Sequence, residues 1–167
     1  KHDKEGVWIP ELIFGHLLTS SNYNDEEQRV TGGRNGYGAK LANVFSSKFW
    51  IEICDGKKVY RQTWRANMSQ CDPPVIESKA GPVHVRVGFT PDWPRFGGAG
   101  DFAKLVEKRT WDAALWCAKC RVSFNGQPLS VLSLEDYARA HVGSVPMAKM
   151  HTDNFEIVVC QIGRAHV

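Results

Sequence analysis

A glycine-rich stretch at residues 31–40, TGGRNGYGAK, restricts the local fold of this chain more than any other part of the sequence. Gly33, Gly36 and Gly38 form the pattern G-x-x-G-x-G on a loop that enters a helical run at residues 36–45. Glycine accepts positive φ angles and lets the backbone approach a ligand closely. The first amides of a helix have no partner within the helix and can bind an anion. The pattern therefore predicts a phosphate-binding loop.

Two basic residues strengthen this prediction, and their spacing separates the loop from two familiar motifs. Arg34 lies at the end of the loop and Lys40 in the first turns of the helix, so both can reach phosphate oxygens. A P-loop has Lys followed by Ser or Thr directly after its last glycine, whereas here Ala39 follows Gly38. The dinucleotide fingerprint follows a strand, whereas this loop follows a helix and a polar run. A glycine-rich turn with a solvated lysine is the alternative interpretation.

Hydrophobic periodicity predicts an α+β fold. Helical patterns alternate with short β-type runs, and the dipeptide Asp55-Gly56 indicates a hairpin between two of these runs. Pro73-Pro74 is typical of a loop, and Asp101 is a candidate helix cap. A soft domain boundary falls between Leu129 and Ser133. The predicted helices are 8–18, 36–45, 101–119 and 134–142, and the predicted strands are 49–53, 59–64, 83–89, 121–124 and 155–160.

The composition excludes some classes of protein but does not identify a binding partner. Hydrophobic residues make up 43% and charged residues 23% of the 167 positions, which is typical of a globular protein. The longest apolar stretch is interrupted by Pro10 and Glu11, so no membrane association is predicted. The net charge of +3 is too small to indicate a nucleic-acid interface by itself. Cys117 and Cys120 form C-x-x-C without a second pair at matching spacing, so we expect no metal site there.

Residues 17–25, LLTSSNYND, and residues 30–41, VTGGRNGYGAKL, together resemble the ATPase region of eukaryotic type II DNA topoisomerases. The resemblance is close over residues 7–49 and continues more loosely to residue 160. It implies the GHKL-type ATPase fold, a two-layer α/β sandwich in which helices cover a mixed, largely antiparallel sheet. Residues 1–132 would be the C-terminal part of the GHKL ATPase domain, and residues 133–161 the start of the transducer domain.

The resemblance also implies which residues contact ATP, under a lid. We expect this lid at residues 24–33, where Gly32 and Gly33 give hinge freedom and three acidic residues would lie beside the triphosphate. Ser20, Ser21 and Asn22 also suit a helix-capping role, which is their alternative interpretation. The implied ATP-binding residues are Ser20, Ser21, Asn22, Gly33, Arg34, Asn35, Gly36, Tyr37, Gly38, Ala39 and Lys40.

The family's catalytic motifs have no counterpart in this sequence. Its general base and magnesium-binding Asn form E-x-x-x-N, and its adenine-reading Asp begins D-x-G-x-G; neither pattern occurs here. In the family both motifs precede the segment matching Lys1, and the loop that reaches the γ-phosphate follows the segment matching Gln161. No catalytic residue or metal ligand is therefore predicted in this chain, and the magnesium that accompanies ATP would be bound upstream. A family Thr near the adenine falls on His84 or Val85.

The function implied by the resemblance is that of an ATP-hydrolysing type II topoisomerase, which relaxes and decatenates DNA by passing one duplex through a transient double-strand break in another. The implied partners are duplex DNA and a second copy of the enzyme, in the nucleus or, in a second form, the mitochondrion. Another GHKL ATPase (gyrase-like, MutL-like or a chaperone) and a nucleotide-sensing module without turnover are the alternatives. Residues 162–167 resemble a translated sequencing adapter, so the native segment is expected to end near Gln161.

Overall fold

The computed structural model describes residues 1–3, 5–19, 33, 35–117 and 120–161. These residues belong to two compact units, a first unit up to Gly98 and a second from Ala99 onward. Helices and antiparallel strands occur in both, so the predicted α+β class is confirmed. Among the described residues, no helix combines the length and the hydropathy that a membrane crossing requires.

The first unit is an antiparallel sheet with two short helices. The elements are α1 (Ile9–Gly15), α2 (Gly38–Val44), β1 (Ser46–Cys54), β2 (Lys58–Arg65), β3 (Gln70–Cys71), β4 (Val75–Ser78), β5 (His84–Pro91) and a 3-10 helix (Trp93–Phe96). The strand order is β3-β2-β1-β5, and β4 also pairs with β2. The predicted hairpin at Asp55-Gly56 is present: the Asp55 carboxylate accepts hydrogen bonds from two turn amides at 2.8 and 2.7 Å, and Gly56 has a φ of +95°.

One face of the β1–β2 hairpin forms the core of this unit. Phe49 and Ile51 of β1 and Tyr60 and Trp64 of β2 are buried together, and Phe49 lies directly opposite Trp64 across the hairpin. Successive strand residues point to opposite faces, so these four share one side of the sheet. Side chains from both helices, among them Phe14, pack against this cluster. The core therefore fixes α1 and α2 on the sheet.

Helix α1 is shorter than the predicted helix over residues 8–18: it ends at Gly15, after which His16 is extended and Leu18 has a φ of +59°. Gly15 itself lies against the buried Trp64 ring. A Cβ atom at residue 15 would be 2.8 Å from Nε1 of Trp64, closer than real Cβ contacts. The sequence pattern could not show this close approach, because Trp64 belongs to a strand about fifty residues away.

We expect Gly15→Ala to destabilise the first unit by up to about 2 kcal/mol. Overpacking a filled core costs about 1–3 kcal/mol, and the better helix propensity of Ala offsets about 1 kcal/mol of it. Thermal unfolding of the purified full-length protein measures the change. Gly81→Ala is the matched control, because a Cβ there would meet only Cys54 Sγ at an ordinary 3.7 Å. Equal unfolding temperatures for the two variants would contradict the proposed contact.

The opposite face of the sheet carries an ion network centred on Glu52 of β1. One carboxylate oxygen accepts a hydrogen bond from Arg61 Nε at 2.7 Å, and the other from His84 Nε2 at 3.0 Å and an Arg86 guanidinium nitrogen at 2.9 Å. Arg61 also pairs with Glu77 of β4 at 2.9 Å. The hydrogen bonds from Arg61 and His84 lower the pKa of Glu52 to about 2. The network thus links four strands through a carboxylate that stays ionised.

The second unit contains two helices and two small hairpins. Its elements are α3 (Phe102–Trp116), β6 (Ser123–Phe124), β7 (Gln127–Pro128), α4 (Leu134–Val142), β8 (Met147–His151) and β9 (Glu156–Cys160). Helix α4 has the predicted bounds, and the Ser133 hydroxyl caps it by accepting from Asp136 N at 3.1 Å. Asp101 occupies the N-cap position of α3, as predicted, but its side chain makes no capping hydrogen bond; its carboxylate pairs with Lys104 at 2.8 Å instead.

Candidate nucleotide-binding site

The glycine-rich loop enters α2 with a backbone that favours glycine at two positions. Gly33 has a φ of +86° and Gly36 a φ of +65°, both in the left-handed region where other residues are strained. At Gly38, the first residue of α2, a Cβ would meet nothing within 4 Å. The predicted need for glycine therefore comes from backbone conformation at Gly33 and Gly36, whereas the space around Gly38 is open.

The described members of the predicted site lie on this loop and on α2. Residues 35–39 are exposed, and Lys40 is 3% exposed. Seven predicted residues are described: Gly33, Asn35, Gly36, Tyr37, Gly38, Ala39 and Lys40. The other four (Ser20, Ser21, Asn22 and Arg34) lie outside the described residues, as does the predicted lid apart from Gly33. The exposed loop is thus followed directly by a buried lysine, Lys40.

The ammonium of Lys40 is held by a hydroxyl group from the segment after α1. Lys40 Nζ donates a hydrogen bond of 2.6 Å to Thr19 Oγ1. Burial lowers the pKa of Lys40, because a low-dielectric surrounding disfavours the charged form. Over the described part of the chain, no carboxylate lies within ion-pair distance of this ammonium. Lys40 is therefore a largely desolvated donor, which is the state in which an anionic ligand gains most from it.

Thr19 and Asn43 are functional candidates that sequence reasoning missed. The Thr19 hydroxyl lies 3.2 Å from the Leu12 carbonyl and 3.3 Å from the His16 carbonyl, both at the C-terminal end of α1. Asn43 is fully buried, and its Nδ2 donates to the Phe14 carbonyl at 3.0 Å. One sequence signal was available: Asn43 follows Lys40 by three residues, which places both on one face of α2. Both side chains join α2 to the end of α1.

The two residues aligned with the family's adenine-side Thr lie on β5 and face opposite sides of the sheet. His84 belongs to the Glu52 network, and its Nδ1 lies 2.9 Å from the Pro82 carbonyl. Val85 lies opposite Ile53 on the core side and is 63% exposed. No group of three or more His, Cys, Asp or Glu that could hold a metal occurs among the described residues.

Comparison with known proteins gives a consistent set of relatives. No protein-family model matches the chain. DNA topoisomerase 2 of Candida glabrata is 47% identical over 162 residues, which cover 93% of this chain and 11% of the relative. The Saccharomyces cerevisiae enzyme is 45% identical over the same shares, and the Drosophila melanogaster enzyme is 37% identical over 98% of this chain and 12% of the relative. The chain thus spans about a tenth of the length of these curated relatives.

Solved structures agree with the sequence relatives. The ATPase region of Saccharomyces cerevisiae topoisomerase II bound to dexrazoxane has a TM-score of 0.84 and 41% identity, covering 94% of this chain and 44% of that structure. The ATPase and transducer domains of Balamuthia mandrillaris DNA topoisomerase II have a TM-score of 0.83 and 35% identity, covering 95% and 43%. The fold likeness therefore extends over nearly the whole chain, as does the sequence likeness.

Proposed function

This chain belongs to the family of type II DNA topoisomerase ATPase regions, and on that premise we propose that it binds the phosphates of ATP. The observation that carries the proposal is the arrangement of Lys40, whose buried ammonium follows an exposed glycine-rich loop and is held at 2.6 Å from Thr19. A desolvated cation beside exposed backbone amides is a general means of binding a triphosphate. Three relatives from different organisms carry the name DNA topoisomerase 2, which supports the same assignment.

The residues of this chain bind and orient the triphosphate in this proposal. Lys40 donates hydrogen bonds to phosphate oxygens and neutralises part of their charge, while the loop at Gly33 and Gly36 brings backbone amides close to them. Ser20, Ser21, Asn22 and Arg34 complete the proposed set on the ribose and phosphate side. When bound, ATP would supply the free energy that its hydrolysis releases. Magnesium would arrive with ATP; in the resembled family the Asn that binds it belongs to an E-x-x-x-N motif, which does not occur in this sequence.

We further propose that the parent enzyme couples this site to DNA strand passage. ATP binding would close two copies of the enzyme around a duplex, which then passes through a transient double-strand break in another duplex. Relaxation and decatenation are the resulting activities, with the nucleus as the compartment and the mitochondrion for a second form. Residues 1–132 would belong to the ATPase domain and residues 133–161 to the transducer, a division that the likeness to a structure with both domains supports.

DNA relaxation and decatenation by the full-length enzyme test this function. We expect repeated strand passage with ATP, at most one passage per enzyme with a non-hydrolysable ATP analogue, and none without nucleotide. The reason is that closure would need binding alone, whereas reopening would need hydrolysis. Supercoiled plasmid and interlinked DNA circles are suitable substrates, and gel mobility gives the readout. Relaxation at equal rates with and without ATP would contradict the proposed coupling.

A further inference from the structure

The C-terminal end of α1 meets the Lys40 side chain through a single hydroxyl group. Thr19 Oγ1 lies 3.2 Å from the Leu12 carbonyl and 3.3 Å from the His16 carbonyl, and it lies 2.6 Å from Lys40 Nζ. A carbonyl oxygen only accepts, so the one hydroxyl proton points to the end of α1. The lone pairs of Oγ1 then face Lys40. The hydroxyl can therefore accept a hydrogen bond from the Lys40 ammonium while it donates its own proton to a carbonyl at the end of α1.

We propose that Thr19 is a positioning residue for the nucleotide site, which holds the Lys40 ammonium in the place where it binds phosphate. The inference rests on the proposed function, because it concerns how Lys40 is aimed at ATP. A lysine ammonium has three donors, and its long side chain has many rotamers that must be restricted before binding. In this proposal Thr19 takes one of these donors, and phosphate oxygens accept from the others. Binding then costs less, because the ammonium is ordered before ATP arrives.

The packing around this contact makes it rigid. Lys40 is 3% exposed, so water cannot replace a lost hydroxyl easily. Asn43, one turn further along α2, bonds the Phe14 carbonyl at 3.0 Å and is fully buried. Asn43 thereby adds a hydrogen bond between α2 and α1 about one turn away from the Lys40 contact. Among the described residues, the Thr19 hydroxyl oxygen is the side-chain atom that accepts a hydrogen bond from the Lys40 ammonium.

Three variants of the full-length enzyme test the role of the hydroxyl. Thr19→Val keeps the shape and removes the acceptor, so we expect the Kd and KM for ATP to rise roughly 2- to 12-fold with little change in kcat. Thr19→Ser keeps the hydroxyl and should restore most of the affinity. Thr110→Val is the matched control, because the Thr110 hydroxyl donates only to the Val106 carbonyl of its own helix at 2.8 Å. An unchanged ATP Kd in Thr19→Val would overturn the proposal.

A double-mutant cycle separates positioning from helix capping. If Thr19 acts through Lys40, Thr19→Val should weaken ATP binding no further in a Lys40→Ala background. Additive losses would overturn the proposal, because they would show that Thr19 supports the site by another route. A normal ATP affinity in Lys40→Ala alone would instead count against the proposed function. Calorimetry with a non-hydrolysable ATP analogue measures all four proteins.

Two further measurements keep the test informative if Thr19→Val does not fold. Thr19→Cys keeps the size with a weaker acceptor, so an intermediate Kd is expected and an unchanged Kd would contradict the role. The hydroxyl stabilises the charged ammonium, so weakening it should move the alkaline loss of ATP affinity to lower pH. A merely structural change in helix capping would leave that pH profile in place.

Discussion

Replacing Lys40 by alanine in the full-length enzyme should weaken ATP binding by about tenfold or more and reduce strand passage with it. A hydrogen bond to a charged group contributes about 1.5–3 kcal/mol, and 1.4 kcal/mol corresponds to a factor of ten in affinity. Lys40 is 3% exposed, so solvent would not supply a substitute donor in the variant. Calorimetry with a non-hydrolysable ATP analogue gives the affinity, and plasmid relaxation gives the activity.

Lys104→Ala is the matched control for this experiment. Lys104 lies in the first turn of α3, where it pairs with Asp101, and both side chains are 81% exposed. Exposed ion pairs contribute little, so this variant should keep its ATP affinity and its unfolding temperature. If Lys40→Ala also kept normal ATP affinity and strand passage, Lys40 would have no role at the phosphates, and the proposed site would be wrong.

Sequence patterns predicted the elements whose signals are local. The dipeptide Asp55-Gly56 predicted the β1–β2 hairpin, and alternation over residues 83–89 predicted β5. The short strands β3 and β4 were missed, because they flank Pro73-Pro74 and are strands only through pairing with β2. Strand β8 was missed for a related reason: residues 147–151, MAKMH, lack β-branched side chains and pair with β9.

The sequence proposes which residues form the candidate site but not how they are arranged. The glycine pattern points to the loop and Lys40, and the resemblance extends the proposed set. Neither could show that Lys40 is buried, nor that Thr19 holds it from 21 residues away. That contact forms where the chain has left α1 after Gly15, and Gly15 in turn packs against the buried ring of Trp64. Local sequence patterns do not contain such a chain of tertiary contacts.

Residues 1–161, expressed alone, should not hydrolyse ATP. The sequence contains neither E-x-x-x-N nor D-x-G-x-G, the motifs that in the resembled family supply the general base, the magnesium ligand and the adenine contact. The described residues offer no cluster of three metal-ligating groups in their place. A positioned general base contributes typically 10²–10⁴-fold in rate, so turnover should fall to the background of uncatalysed hydrolysis.

ATP binding by this chain alone should also be weak, because phosphate contacts are only part of a nucleotide site. The isolated sheet adds a second difficulty: β5 is an edge strand, and Val85, Val87 and Phe89 on its core side are between 45% and 63% exposed. Exposed apolar side chains on an edge strand favour association over a stable monomer. Phosphate release measures turnover, and calorimetry with ATP and magnesium measures binding, both on purified residues 1–161. The full-length enzyme is the positive control. Micromolar binding or any turnover above background would show that these residues contain a more complete site than Lys40 and its loop.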